Sequence, residues 1–274
     1  MSRLIFYAVG LALLIFVFWA LIPRRQVTHL LKHGVVVISC WFGTATDIAA
    51  APEAPGVRCI FFTNNPTLTS LISSRGWEVI VTKDPIHARD ISPLDADRRK
   101  ESLSANPGKS SLQSKQIKFL CLPDEHRYII DTYKTIIYMD HKRIVDDIDN
   151  LLRLHTSDVL VRFDKKVKSI DREVQVANFQ KRYNASMRGT LKWIEKELNV
   201  IGRKPSDIRI CNTGVIVYRI SDRVLKLCKE VYDTCVALGQ PECQLIWATI
   251  TARPDGPLIK MVEYKDVETR PYMW

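Results

Sequence analysis

A series of short apolar runs, rich in β-branched residues, constrains this chain most. Each run is closed by a turn signal, and the intervals between runs are long enough for a helix. Val35-Val36-Val37-Ile38-Ser39-Cys40 ends at Trp41-Phe42-Gly43. Arg58-Cys59-Ile60-Phe61-Phe62-Thr63 ends at Asn64-Asn65-Pro66, and Trp77-Glu78-Val79-Ile80-Val81-Thr82 ends at Asp84-Pro85. Thr135-Ile136-Ile137-Tyr138-Met139 ends at Asp140, and Val159-Leu160-Val161-Arg162-Phe163 follows. Unbroken apolarity means burial on both faces, the condition of a strand inside a parallel sheet covered by helices. Between the strands, helices are expected over 67–74, 113–122, 148–154, 174–198 with a break at Gly189, 224–238 and 243–251. Residues 208–212 are expected to be extended and to lead through Thr213-Gly214 into a strand over 215–218. Strand and helix alternate, so the expected class is α/β with a Rossmann-like, mostly parallel sheet flanked by helices.

The chain has 274 residues, of which 46% are hydrophobic and 26% charged. That balance excludes a disordered, collagenous or polytopic membrane chain. The net charge of +10 suits polyanionic partners such as nucleic acid, anionic lipid or phosphorylated small molecules. Nucleic acid is not the expected partner, because basic and aromatic residues do not interleave as they do in RNA-binding modules. The seven cysteines include no CxxC pair and no zinc spacing.

Leu4 to Ile22 carries no charged residue. About 19 residues of helix span roughly 28 Å, close to the hydrocarbon thickness of a bilayer. Tyr7 and Trp19 flank the segment, and Pro23-Arg24-Arg25 closes it. A cleaved signal peptide has a shorter apolar core and a small-residue cleavage site, and no such site follows here. The expected organisation is therefore a transmembrane anchor over 1–25, a linker over 26–34 and one domain over 35–274. The lipid bilayer would be a partner through that N-terminal helix. Flanking positive charge alone weakly favours a cytosolic domain.

Four features can carry chemistry. The first is the acid that ends an apolar strand, Asp140, followed by His141. Ligands of open α/β sheets sit beyond the carboxyl ends of the strands. A carboxylate there can hold Mn²⁺ or Mg²⁺, and the cation can hold a diphosphate. His141 is a possible second ligand, and an acid at that place also serves simply to cap a turn. The second is Asn212-Thr213-Gly214, where glycine permits close approach and two side chains offer hydrogen bonds. A bulge is the plainer reading. The third is Gln240-Pro241-Glu242-Cys243-Gln244 at a helix start. Glu242 there is either a general base or a partner of the helix dipole. The fourth is Lys115 and Lys118, three apart on one helix face. They either offset a diphosphate or form a solvated face.

Taken in order, these pieces resemble a GT-A-type nucleotide-sugar glycosyltransferase. More narrowly, they are similar to the family of plant mucilage and turgor-related glycosyltransferase-like proteins. The matching segments are Val36 to Gly43, Gly56 to Pro66, Arg75 to Val79, Lys115 to Leu120, Tyr138-Met139-Asp140, Asn212 to Arg219 and Gln244. The chain departs from the family pattern at Asn64 and Asn65, where acids are usual. It departs again at Asp140-His141-Lys142, which has one carboxylate where many GT-A enzymes have two, and at Cys243, where an Asp is usual.

The resemblance implies a GT-A-like domain that moves a sugar from a nucleotide donor, UDP-sugar by preference, to a glycan hydroxyl. Phe42, Gly43, Thr63, Asn64, Lys115, Lys118, Asp140 and His141 would hold the donor, with Asp140 as the ligand of Mn²⁺ or Mg²⁺. Asn212, Thr213 and Gly214 would line the sugar and acceptor site, and Glu242 and Gln244 would be catalytic. It further implies a single-pass, type II membrane protein with a lumenal domain, in the Golgi or ER of a eukaryote. A catalytically inactive binding or scaffold protein of the same fold is the alternative.

Overall fold

The computed structural model describes residues 34–43, 47–82, 107–142, 145, 147–163, 169–179, 181–263 and 266–267. The expected anchor, and all of the linker except Gly34, lie outside these residues, as do Arg98, Arg99 and Lys100. Among the described residues no helix is long and apolar enough to cross a membrane.

The five apolar runs form the strands β1 (Val35–Trp41), β2 (Arg58–Thr63), β3 (Glu78–Val81), β4 (Thr135–Met139) and β5 (Val159–Phe163). Two more strands, β6 (Asn212–Arg219) and β7 (Ile259–Glu263), complete a seven-stranded sheet in the order β3-β2-β1-β4-β6-β5-β7. β1 pairs in parallel with β2 and β4, β2 with β3, and β5 with β7. β6 runs antiparallel to both of its neighbours, β4 and β5. The architecture is thus α/β with a mostly parallel, mixed sheet.

Period-2 alternation sends each strand into two cores. Val36, Ile38 and Cys40 of β1, Ile136 and Tyr138 of β4, and Ile216 and Tyr218 of β6 enter one layer. Val35 and Val37, Ile137 and Met139, and Val215 and Val217 enter the other. Both layers are dry, which is why these runs lack the polar alternation of a half-exposed strand.

The helices are α1 (Thr69–Ser74), α2 (Pro107–Lys118), α3 (Tyr128–Thr132), α4 (Ile148–Leu154), α5 (Ile170–Asn178), α6 (Lys181–Val200), α7 (Asp222–Leu238) and α8 (Cys243–Thr251). The ends of α7 are written in the sequence. Ser221 caps its first turn by accepting from Val224 N, and Gly239 closes it at φ 61°. α2 packs on β1 and α7. It stops through Leu120, a left-handed residue at φ 55°, while Cys121 N donates back to Gln116 O at 2.9 Å. Glycine usually takes that place. Leu120 holds it because its side chain is buried in the core.

Three expectations are corrected, and two elements are added. The helix expected over 113–122 begins at Pro107 and ends at Lys118. No break falls at Gly189: α5 ends at Asn178, and Gly189 lies inside α6, where an added Cβ would meet nothing within 4 Å. A glycine on an open helix face costs propensity without breaking the helix. Residues 208–211 lie outside the sheet, and Asn212 to Arg219 form one strand. β7 and α3 had no counterpart in the sequence reading. Ile259-Lys260-Met261-Val262-Glu263 is short and half-exposed at a sheet edge, so it lacks the apolar signature of the buried strands.

Tyr218 ties the sheet to the end of α2. Its hydroxyl donates to Lys118 O at 2.8 Å inside the core. Tyr218→Phe leaves that carbonyl unpaired, and the expected cost is about 1–2 kcal/mol. Thermal melts should then fall by a few degrees; an unchanged melting temperature would show that the tie carries no stability.

Candidate functional site

The strand order reverses between β1 and β4. From β1 the chain steps outward through β2 and β3, and from β4 it steps to the other side. The crevice beyond the carboxyl ends of two such strands is the usual ligand position in an open α/β sheet. The ends of β1, β2 and β4 and the start of β6 meet along this edge.

At the ends of β1 and β2, Gly43 takes φ 134°, which a larger side chain rarely adopts. Its N–H donates to Asn64 Oδ1 at 3.1 Å, and its carbonyl accepts from Asn65 Nδ2 at 3.1 Å. Thr63 is fully buried, and its hydroxyl accepts from Asn65 N at 3.1 Å. The two asparagines that replace the family's acids therefore clamp the β1 loop to the β2 loop. Phe42 is fully buried in the core, so only its backbone lies at the edge.

At the end of β4, Asp140 is held from three directions. Lys118 Nζ lies 2.9 Å from its Oδ1, and the Tyr138 hydroxyl donates to the same oxygen at 2.8 Å. Asp140 N donates to Gly214 O at 2.8 Å, joining it to the start of β6. The Lys118 side chain is 4% exposed, and its ammonium lies 5.0 Å from the centre of the Tyr138 ring. Burial is the largest single influence and lowers the Lys118 pKa, but the Asp140 charge and hydrogen bond, with contributions from Cys243 and Cys40, together outweigh it and the net shift is upward. Lys118 is therefore a permanent cation. Lys115, one turn earlier, is also buried, with no ion-pair partner among the described residues. His141 packs on Trp41 with ring centres 4.2 Å apart. Burial pushes its pKa down to about 4, so it is neutral near pH 7.

Across β6, Asn212 Oδ1 accepts from Gly214 N at 2.9 Å and from the fully buried Arg162 at 2.9 Å. Thr213 Oγ1 lies 3.3 Å from Cys243 Sγ, at the first residue of α8. Glu242 caps α8 by accepting from Gln244 N, and its own N–H donates to Gln240 Oε1 at 2.9 Å. Gln240 is completely buried, and its Nε2 donates to Tyr183 O and Thr190 Oγ1, fixing this turn to α6. Gln244 Nε2 donates to Glu173 Oε1 of α5 at 3.1 Å.

Glu173 was not found from the sequence. It sits in an ordinary amphipathic helix, and nothing in the residue pattern marks it. Burial and then the adjacent Glu242 charge push its carboxyl up to about 7. Arg162 was also missed, because it is read as one residue of an apolar strand. The signal available was a charge inside that strand near its carboxyl end.

The donor set fits a divalent cation poorly. Asp140 Oδ1 is already engaged by an ammonium and a hydroxyl. Among the described residues no group of three His, Cys, Asp or Glu side chains gathers. All seven cysteines are free thiols. Burial pushes the Cys40 thiol up to about 12, which makes it a packing residue. Compared with known proteins, the chain matches no family model and no curated protein.

The Glu173 shift has a sign that can be checked. A raised carboxyl holds its proton more tightly in the folded chain than in the unfolded one. Between the ordinary carboxyl range and about pH 7 the unfolded chain has lost a proton that the folded chain keeps. Stability from this group therefore falls as pH rises through that window. Glu173→Gln should remove an effect on the order of 1–3 kcal/mol between pH 5 and 7.5. Denaturant melts of both chains at the two pH values measure it, and parallel pH dependence in the two would reject the assignment.

Proposed function

We propose that the chain is a glycosyltransferase of GT-A type that moves a sugar from a nucleotide donor, UDP-sugar by preference, to a glycan hydroxyl. The observation that carries this reading is the separation of charge along the carboxyl edge of the sheet. Lys115, Lys118 and Asp140 stand at the switch point, and the carboxylate pair Glu173 and Glu242 stands at the start of α8. Asn212-Thr213-Gly214 joins the two groups through the Asp140–Gly214 and Thr213–Cys243 contacts.

Each part answers one demand of the reaction. The diphosphate of the donor lies against the lysines. The sugar lies over the Asn212 to Gly214 segment, where glycine permits close approach. The acceptor hydroxyl meets the carboxylate pair. The acceptor oxygen forms its bond to the anomeric carbon, the bond from that carbon to phosphate breaks, and the diphosphate leaves with the electron pair. The hydroxyl proton passes to Glu173 or Glu242. A carboxyl whose pKa lies near 7 suits a general base at that pH. Gln244 orients Glu173, and Gln240 orients the backbone of Glu242. Within this reading the Leu4 to Ile22 segment tethers the domain to a membrane as a type II protein.

The test is transfer by the full chain in detergent, followed as release of UDP or GDP from a panel of nucleotide sugars. Glu173→Gln and Glu242→Gln are expected to lower kcat by about 10²–10⁴-fold while nucleotide affinity stays within a few-fold. The acidic limb of the pH profile should lie near 7 in the parent chain and disappear in Glu173→Gln. Nucleotide binding with no turnover on any donor would favour the inactive scaffold of the same fold.

A further inference from the structure

The transferase reading leaves open what meets the charge of the diphosphate, and the residues around Asp140 address it. We propose that a buried ammonium pair, Lys118 and Lys115, holds the diphosphate of a nucleoside diphosphate directly, in the place where a divalent metal ion would otherwise stand. The proposal rests on the transferase reading for the nucleoside part of the ligand. The anion seat itself rests on the geometry.

Three observations converge. First, the strand-end carboxylate already has a cation. Lys118 Nζ and the Tyr138 hydroxyl both address Asp140 Oδ1, at 2.9 and 2.8 Å. A divalent ion on this carboxylate would have to face the ammonium or displace it from a site where its side chain is 4% exposed. Second, Lys118 is fixed before any ligand arrives. Its carbonyl accepts from the buried Tyr218 hydroxyl, the following turn is locked by the left-handed Leu120, and its ammonium lies over the Tyr138 ring. Donors set in place beforehand need no reorganisation when charge develops on a leaving group. Third, Lys115 is 7% exposed and makes no ion pair with any described acid. A buried ammonium that no described acid neutralises is costly, and an anion relieves that cost.

Among the described residues, the two ammonium groups and one carboxylate leave a net positive seat. Asp140 in this arrangement is a positioning residue. It holds Lys118 in place and takes no ligand of its own.

The metal and ammonium readings predict opposite effects for one substitution. If Asp140 binds a metal, Asp140→Asn abolishes diphosphate binding. If Asp140 holds Lys118, Asp140→Asn unmasks the ammonium, and binding is kept or tightened. The experiment is calorimetric titration of the full chain in detergent with UDP and with inorganic pyrophosphate, each in EDTA and in Mn²⁺. Asp140→Asn, Lys115→Gln and the charge-matched Lys118→Met/Asp140→Asn variant run beside it, with circular dichroism melts to show that each is folded.

The expected result is UDP binding in EDTA that Mn²⁺ changes by less than about threefold. Asp140→Asn should bind at least as tightly, and Lys115→Gln and the double variant about tenfold or more weakly. UDP binding that needs Mn²⁺ and is lost in Asp140→Asn would overturn the ammonium seat and leave the transferase reading standing. Pyrophosphate binding in EDTA with no preference for UDP would support the seat and count against the transferase reading. Binding of neither ligand in any arm would overturn the seat.

Discussion

The arrangement turns on one ion pair, Lys118 with Asp140, set at the point where the sheet reverses its order. Lys118 ends the helix that packs on β1, and Asp140 ends β4. The pair thus joins a covering helix to a central strand at the mouth of the crevice. The Lys118 side chain is only 4% exposed, and the adjacent carboxylate offsets much of the cost of burying its charge. The carboxylate is in turn held by the Tyr138 hydroxyl, and the Asp140 backbone N–H is held by the Gly214 carbonyl. Moving either charge would require a strand, a helix end and the start of β6 to adjust together.

Electrostatics along this edge gain strength from burial. A charge pair at 4 Å is worth about 1 kcal/mol in water and about four times that at an effective dielectric near 20. Lys115, Lys118, Arg162, Glu173 and Glu242 are all buried, yet they lie on the polar rim of an otherwise apolar sheet. Such an edge is preorganised: the charges are in place, and their solvent is already removed. Gln240 shows the same logic in neutral form. Three hydrogen bonds seat one buried amide, and that amide seats the turn bearing Glu242.

Much of the fold was legible because both faces of its central strands are dry. Val35 to Cys40, Ile60 to Thr63 and Ile136 to Met139 leave no room for another reading. What was not legible has physical reasons. The end of α2 carries no glycine because Leu120 gains core packing in a left-handed position. The direction of β6 cannot be read from its residues, since a fully buried antiparallel strand has the same composition as a parallel one. At the site, Asp140, Asn212 to Gly214 and Glu242 were visible because each stands at the end of an apolar run or the start of a helix. Glu173 was not, because its setting comes from Gln244 and Glu242, about 70 residues away in the chain. The sequence offered Lys118 and Asp140 as two separate features, and only the fold makes them one.

The place of β6 has a consequence for how the domain is made. β4 lies between β1, about 100 residues before it, and β6, about 75 residues after it. During synthesis, β1 to β4 can pair as soon as they emerge, but the far edge of β4 stays open until Asn212 to Arg219 has been translated. That edge is apolar, central and unprotected, the kind that recruits other chains. Pairing across such separations is slow, because loop closure must come before any contact forms. The same late strand carries Gly214, the residue that fixes Asp140. The nascent chain therefore shields its most aggregation-prone edge and completes its charged centre in a single event.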